Sequence, residues 1–137
     1  MANPRLPDAY FQLTSLLEAQ GRWAEAAENY RKLLRESPNS ARALSQLAWL
    51  LATADDESVR NGAEAETIAA PLLQRDDSPE GLRILAAAQA AQGNFAQAVA
   101  TASQALGLAV RDAALAVSLQ NELTLYRAGK PFLQRQP

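Results

Sequence analysis

Leu115, Ala116, Leu119, Leu123 and Tyr126 recur at the three- and four-residue spacing of one helix face, while Gln120, Asn121, Thr124 and Arg127 fall elsewhere on the same turns. A helix so patterned is apolar inside and polar outside, as the end of a stack requires. Leu44, Leu47, Ala48 and Leu51 form a second helical stripe, and Ala65 and Ala69 a third. Runs of β-branched residues are scarce, so no strand is expected. Local signals set the helix ends. Asn61, standing before Gly62 and Glu64, offers an N-cap with a carboxylate three residues on, and Ser78-Pro79-Glu80 puts proline at the first helical position. Gly21, Gly93 and Gly129 stand where helices should stop, because glycine takes the left-handed C-cap conformation freely. Seven helices are predicted, near residues 7 to 20, 24 to 36, 40 to 53, 62 to 76, 79 to 92, 95 to 109 and 112 to 128, in one domain covering residues 1–137.

Two of the segments are copies. Glu18-Ala-Gln-Gly-Arg-Trp-Ala-Glu-Ala-Ala27 aligns with Ala90-Ala-Gln-Gly-Asn-Phe-Ala-Gln-Ala-Val99, and the two glycines lie 72 residues apart, two units of 36. Tyr10, Leu13, Leu17, Ala26, Tyr30 and Pro38 fall on the spacing of the 34-residue tetratricopeptide repeat. The chain resembles that family over nearly all of residues 7 to 112, with repeats at about 7–40, 41–78 and 79–112 and a capping helix at about 112–128. The middle repeat is irregular. Ala54-Asp-Asp-Glu-Ser-Val-Arg-Asn-Gly62 replaces its tight turn, and the third repeat carries Gln89 where a large apolar residue is usual. Leu47-Ala-Trp-Leu-Leu-Ala-Thr53, Arg60-Asn-Gly62 and the ending Leu125-Tyr-Arg-Ala-Gly-Lys-Pro131 resemble the last repeats of long bacterial arrays of this family. The resemblance implies an all-α, right-handed solenoid of about three helix pairs plus the cap.

Ala26, Ala27, Ala48, Ala65, Ala69, Ala86, Ala98 and Ala102 are expected where paired helices approach, with Leu13, Leu17, Leu33, Leu47, Leu51 and Leu85 filling the spaces left. Pro71 contradicts its surroundings, since it falls inside a predicted helix and removes the bond to the Thr67 carbonyl. A kink is expected there, either tolerated or setting the angle of the third repeat.

Composition narrows the chemistry. The 137 residues include no cysteine and no histidine, which removes disulfides, thiolate nucleophiles, imidazole bases and zinc sites built on those ligands. The formal charge is −2 with Lys and Arg scattered, so a basic face for nucleic acid is not expected. No run of about 18 apolar residues offers a membrane span. Met1 to Pro7 lacks a signal peptide's apolar core, which points to the cytoplasm, although a leader on a longer parent would not be visible. Carboxylates are the remaining catalytic candidates. Asp55, Asp56 and Glu57, with Arg60 beside them, and Asp76 and Asp77 read as solvated turn residues, so neither an enzyme nor a bound cofactor or metal is expected.

In this family the first helices of successive repeats line a concave groove. By resemblance the groove-facing residues are Asp8, Phe11, Ser15 and Glu18, then Arg42, Ser45 and Trp49, then Glu80, Arg83 and Ala87. From these, Phe11, Ser15, Arg42, Ser45, Trp49 and Arg83 are the candidate peptide-binding residues: aromatic area, guanidinium forks for a carboxylate, and hydroxyls for an extended backbone. The Lys/Asn/Arg clamp of chaperone-binding members is not expected, because Phe11, Ser15, Gln46 and Ile84 stand at the matching places. For Trp49 two readings stand. Either it packs under the inserted loop, or the loop folds over the groove with Trp49 as floor and Arg60 over its indole. The partner is expected to be another protein or peptide, with a homodimer or spacer role through an uncapped N-terminal face at Phe11, Leu16 and Trp23 as the alternative.

Overall fold

The computed structural model describes residues 6–134. It contains seven helices: α1 (Leu6–Ala19), α2 (Trp23–Glu36), α3 (Ala41–Thr53), α4 (Gly62–Arg75), α5 (Pro79–Ala91), α6 (Phe95–Leu108) and α7 (Ala113–Arg127). Every boundary lies within one residue of its predicted place, and the chemistry of the ends explains this. Gly21, Gly93 and Gly129 have φ of 72°, 83° and 71°, the left-handed region that ends a helix at low cost only for glycine. Ser40, Asn61, Ser78 and Asp112 each accept a bond from the backbone N–H three residues on, satisfying a donor that the first turn leaves open. No strand is present among the described residues, whose one β-type contact is an isolated parallel bridge between Ala54 and Gln134. Among them, no helix is long and apolar enough to cross a membrane.

Short connections turn the chain back on itself, so α1 packs on α2, α3 on α4, and α5 on α6. The pairs then stack. α3 lies against α5 and α5 against α7, whereas α2, α4 and α6 do not pack on one another. The row of α3, α5 and α7 is therefore the tighter one, and the stack is concave on that side.

Alanine makes this closeness possible. Ala26, Ala48, Ala65, Ala98 and Ala102 are fully buried, and a larger side chain at any of them would overpack the helix contact by about 1–3 kcal/mol. The core forms two clusters. One joins α1 to α4 with Ala87 and Ala88, and the other joins Leu82, Ala86 and Ala90 to α6 and α7, so α5 serves both with different faces. Gly62 belongs to the same economy of space: a Cβ there would stand 2.7 Å from the Ala88 carbonyl oxygen and 2.8 Å from the Ala91 methyl.

Buried polar groups are paired in register with the repeat. The Asn29 amide donates to the Tyr10 carbonyl (2.9 Å) and to Thr14 Oγ1 (2.7 Å), tying α2 to α1. Seventy-two residues later Thr101 replaces Asn29, and its hydroxyl donates to Gln89 Oε1 at 2.8 Å. That pairing accounts for Gln89 standing where a large apolar residue is usual. In α1, Leu13 was expected in the core but is 47% exposed. Phe11, Thr14 and Leu17 turn inward in its place, and α1 packs on no helix but α2, so among the described residues no other helix covers the Leu13 side. Leu85, at the matching position of the third repeat, is half-buried. Helix α4 continues through Pro71, whose ring is exposed.

Candidate binding groove

The concave row is organised around Arg83 in α5. Its guanidinium donates to the Glu122 carboxylate of α7 through Nε (2.9 and 3.1 Å) and Nη2 (2.7 Å), a two-pronged bond. The same guanidinium stands 4.3 Å from the centre of the Trp49 ring in α3. One side chain thus connects three neighbouring helices. Glu122 is only 2% exposed, so the ion pair is what allows a carboxylate inside α7. The nearby Tyr126 hydroxyl is buried without a hydrogen-bond partner among the described residues, and burial together with the Glu122 charge holds its pKa above the usual phenol range.

The six candidate residues gather in two neighbouring depressions. Phe11, Ser15 and Arg42 line the first with Asp8 and Gln12. Ser45, Trp49 and Arg83 line the second with Gln46, Glu80 and Ile84. The roles within them differ from expectation. Phe11 is buried, packed 6.4 Å from Tyr30 centre to centre, and the Arg42 guanidinium lies 3.8 Å above its ring. Phe11 is therefore floor rather than free stacking area. Arg83 already holds a carboxylate, that of Glu122, so Arg42 is the exposed guanidinium of the two.

Glu18, one turn beyond Ser15 in α1, has its carboxyl pushed up to about 7 by burial, with a bond to Tyr30 opposing the shift. The Tyr30 hydroxyl donates to Gln46 Oε1 at 2.8 Å. A phenol has one proton to give, so a protonated Glu18 is the better neighbour to that oxygen.

The inserted loop takes the other side of the molecule. Arg60 does not cover the indole, because its Nη1 donates to the Ala54 carbonyl (2.8 Å) and its Nη2 lies 3.9 Å from Glu57. Asn61 N–H donates to the Leu51 carbonyl (2.7 Å), and Ser58 to Asn61 border a depression shared with α2 residues Ala24, Ala27, Glu28 and Arg31. Trp49 instead meets Arg83 and the ring of Phe132, 5.7 Å away in the segment after α7. The reading with Arg60 over the indole does not hold, since Arg83 takes that place. The N-terminal face also changes: Trp23 and Phe11 are buried, and the exposed apolar residues there are Leu13 and Leu16.

Glu122, Phe132, Thr53 and Gln134 all bear on the concave row, and the repeat pattern pointed to none of them. Glu122 had a signal, since it interrupts the apolar stripe between Leu119 and Tyr126 and a carboxylate on such a face needs a cation. Phe132 and Gln134 had none, because they lie beyond the last helix, where no periodicity guides placement. Among the described residues no group of three or more acidic, histidine or cysteine side chains could hold a metal ion.

No curated protein and no solved structure matches the chain significantly. The family model described as tetratricopeptide repeat matches residues 7–50, which cover α1, α2 and most of α3. Over that stretch the chain is similar to the tetratricopeptide repeat, and the stacked helix pairs and the copied segments around Gly21 and Gly93 extend the same helix-pair pattern beyond it.

Proposed function

We propose that the chain is a non-catalytic interaction module that holds an extended segment of another protein along its concave row. The observation that carries this reading is the meeting of Phe11, Ser15 and Arg42 in one depression and Ser45, Trp49 and Arg83 in the next. Repeats of this family generally serve protein–protein contacts, which supports the class of partner. Arg42 supplies an exposed charge for an acidic group, and Ser15 and Ser45 supply hydroxyls for a peptide backbone. A displayed library of random peptides, selected on the intact chain, tests it. Selected peptides should lose at least about tenfold in affinity on Arg42→Glu, the loss of one charged hot spot, and little on Lys32→Glu of the exposed α2 surface. Binders indifferent to Arg42 but sensitive to Lys32 would contradict the reading.

Self-association is the second reading, and the exposure of Leu13 (47%) and Leu16 (55%) on α1 favours it. A dimer seen in a sedimentation dilution series should disappear on Leu16→Glu. Retention of the dimer would exclude this face.

A further inference from the structure

Beyond α7 the chain does something that a cap does not require. Gly129 turns out of the helix, Lys130 N–H closes the turn on the Leu125 carbonyl (2.9 Å), and Pro131 favours extended backbone at Lys130 before it. The segment then returns to the far end of α3. Phe132 sets its ring on Trp49. Two residues on, Gln134 N–H donates to the Thr53 carbonyl (2.6 Å), and its side-chain amide donates to Thr53 Oγ1 (2.8 Å). Ala54 and Gln134 form the parallel bridge. The Thr53 carbonyl is one of the acceptors that the last turn of α3 leaves open, so Gln134 fills a bonding site that α3 itself cannot fill.

These contacts are those of a bound peptide: an aromatic anchor, backbone pairing as in strand addition, and a side-chain amide reading a hydroxyl. Helices α3 and α7 are not in contact, and the segment spans from one to the other. It is held by hydrogen bonds at its ends and by the Phe132 ring between them. A cavity of about 470 Å³ runs beside it, lined by Leu125, Lys130, Pro131, Phe132 and Leu133. Phe132 also rests, half-buried, against the core cluster of α5, α6 and α7, but no residue of the segment is fully buried, so its departure removes no helix from the stack.

We propose that Pro131–Gln134 is an internal ligand of the groove, and that the Trp49–Thr53 end of α3 takes, on its release, an extended partner segment carrying an aromatic residue and, two positions later, a side-chain amide. The idea rests on the groove reading above and names the chemistry of a partner at the end of α3, which meets the second depression at Trp49. The tail limits binding by occupying the site at the high effective concentration of a short tether.

A labelled peptide copying residues 130–137 is the probe, titrated into the full-length chain by fluorescence anisotropy. Phe132→Ala with Gln134→Ala should empty the site and bind the probe about tenfold more tightly than the unmodified chain does, as release from tethered competition requires. Adding Trp49→Leu should abolish that binding, with circular dichroism confirming that the helices persist. A probe carrying alanine for its phenylalanine should bind neither form. Equal affinity for the opened and unmodified chains, or no binding by a folded opened chain, would overturn the proposal. A dimer of the unmodified chain that Phe132→Ala with Gln134→Ala dissolves would do the same, making a second copy's tail the occupant. Library-selected peptides that need Arg42 but ignore the opening of the tail site would leave the groove reading standing and remove this one.

Discussion

Glu18 and Arg83 show how packing constrains single charged residues. Burial raises the Glu18 carboxyl from 4.5 to about 7, so between those values the folded chain binds more protons than the unfolded one. Stability from this group is therefore greatest below about 4.5 and falls as pH rises to about 7. The Asp56 carboxyl is lowered, chiefly by hydrogen bonds from Ser58, and acts only below its ordinary 3.8, outside that window. Melting temperature followed from pH 4 to 8 should decline more steeply in the natural chain than in Glu18→Gln, which keeps the shape and loses the charge. For Arg83 the expected effect is larger. Arg83→Met leaves the Glu122 carboxylate buried and unpaired, a loss of about 3 kcal/mol, while Arg83→Met with Glu122→Leu restores much of it. Urea unfolding of the two variants checks the order.

At the scale of the helix, glycine and cap residues explain why the boundaries were legible. A left-handed residue or a side-chain cap acts within one turn, and the chain carries both in plain sequence. Gly93→Val should accordingly lower the melting temperature more than Asn94→Val. Gly93 has φ of 83° and open space around it, so the penalty is backbone strain of about 1–2 kcal/mol and not a clash. Equal losses in thermal unfolding would mean that the turn does not demand glycine. Which side chains meet across helices was not legible in the same way. The repeat spacing put Leu13 in the core, but the inward face of α1 is set by Thr14, which bonds Asn29 and the Tyr10 carbonyl. Trp49 was paired with Arg60 because the two are close in sequence. The loop leaves α3 toward α2 and α4, and the cation that reaches the indole comes from the equivalent face of the next first helix.

For the molecule as a whole, the fold follows from alanine-lined helix contacts repeated at a fixed offset, and the groove from the tighter packing of α3, α5 and α7. The repeat's period led to the six candidate residues, and the structure gathers them in two depressions, because positions on the first helices recur with that period. Their neighbours Glu122, Phe132 and Gln134 were not, since the last helix and the segment after it obey no repeat. The central claim is that partners are held on the concave row and not on the outer helices. Amide chemical-shift mapping with a library-selected peptide tests it most directly. The account predicts perturbations at Ser45, Thr53, Arg83 and the Trp49 indole N–H, with the exposed face of α2 at Lys32 and Arg35 unmoved. Shifts confined to α2, or to Leu13 and Leu16 of α1, would contradict it.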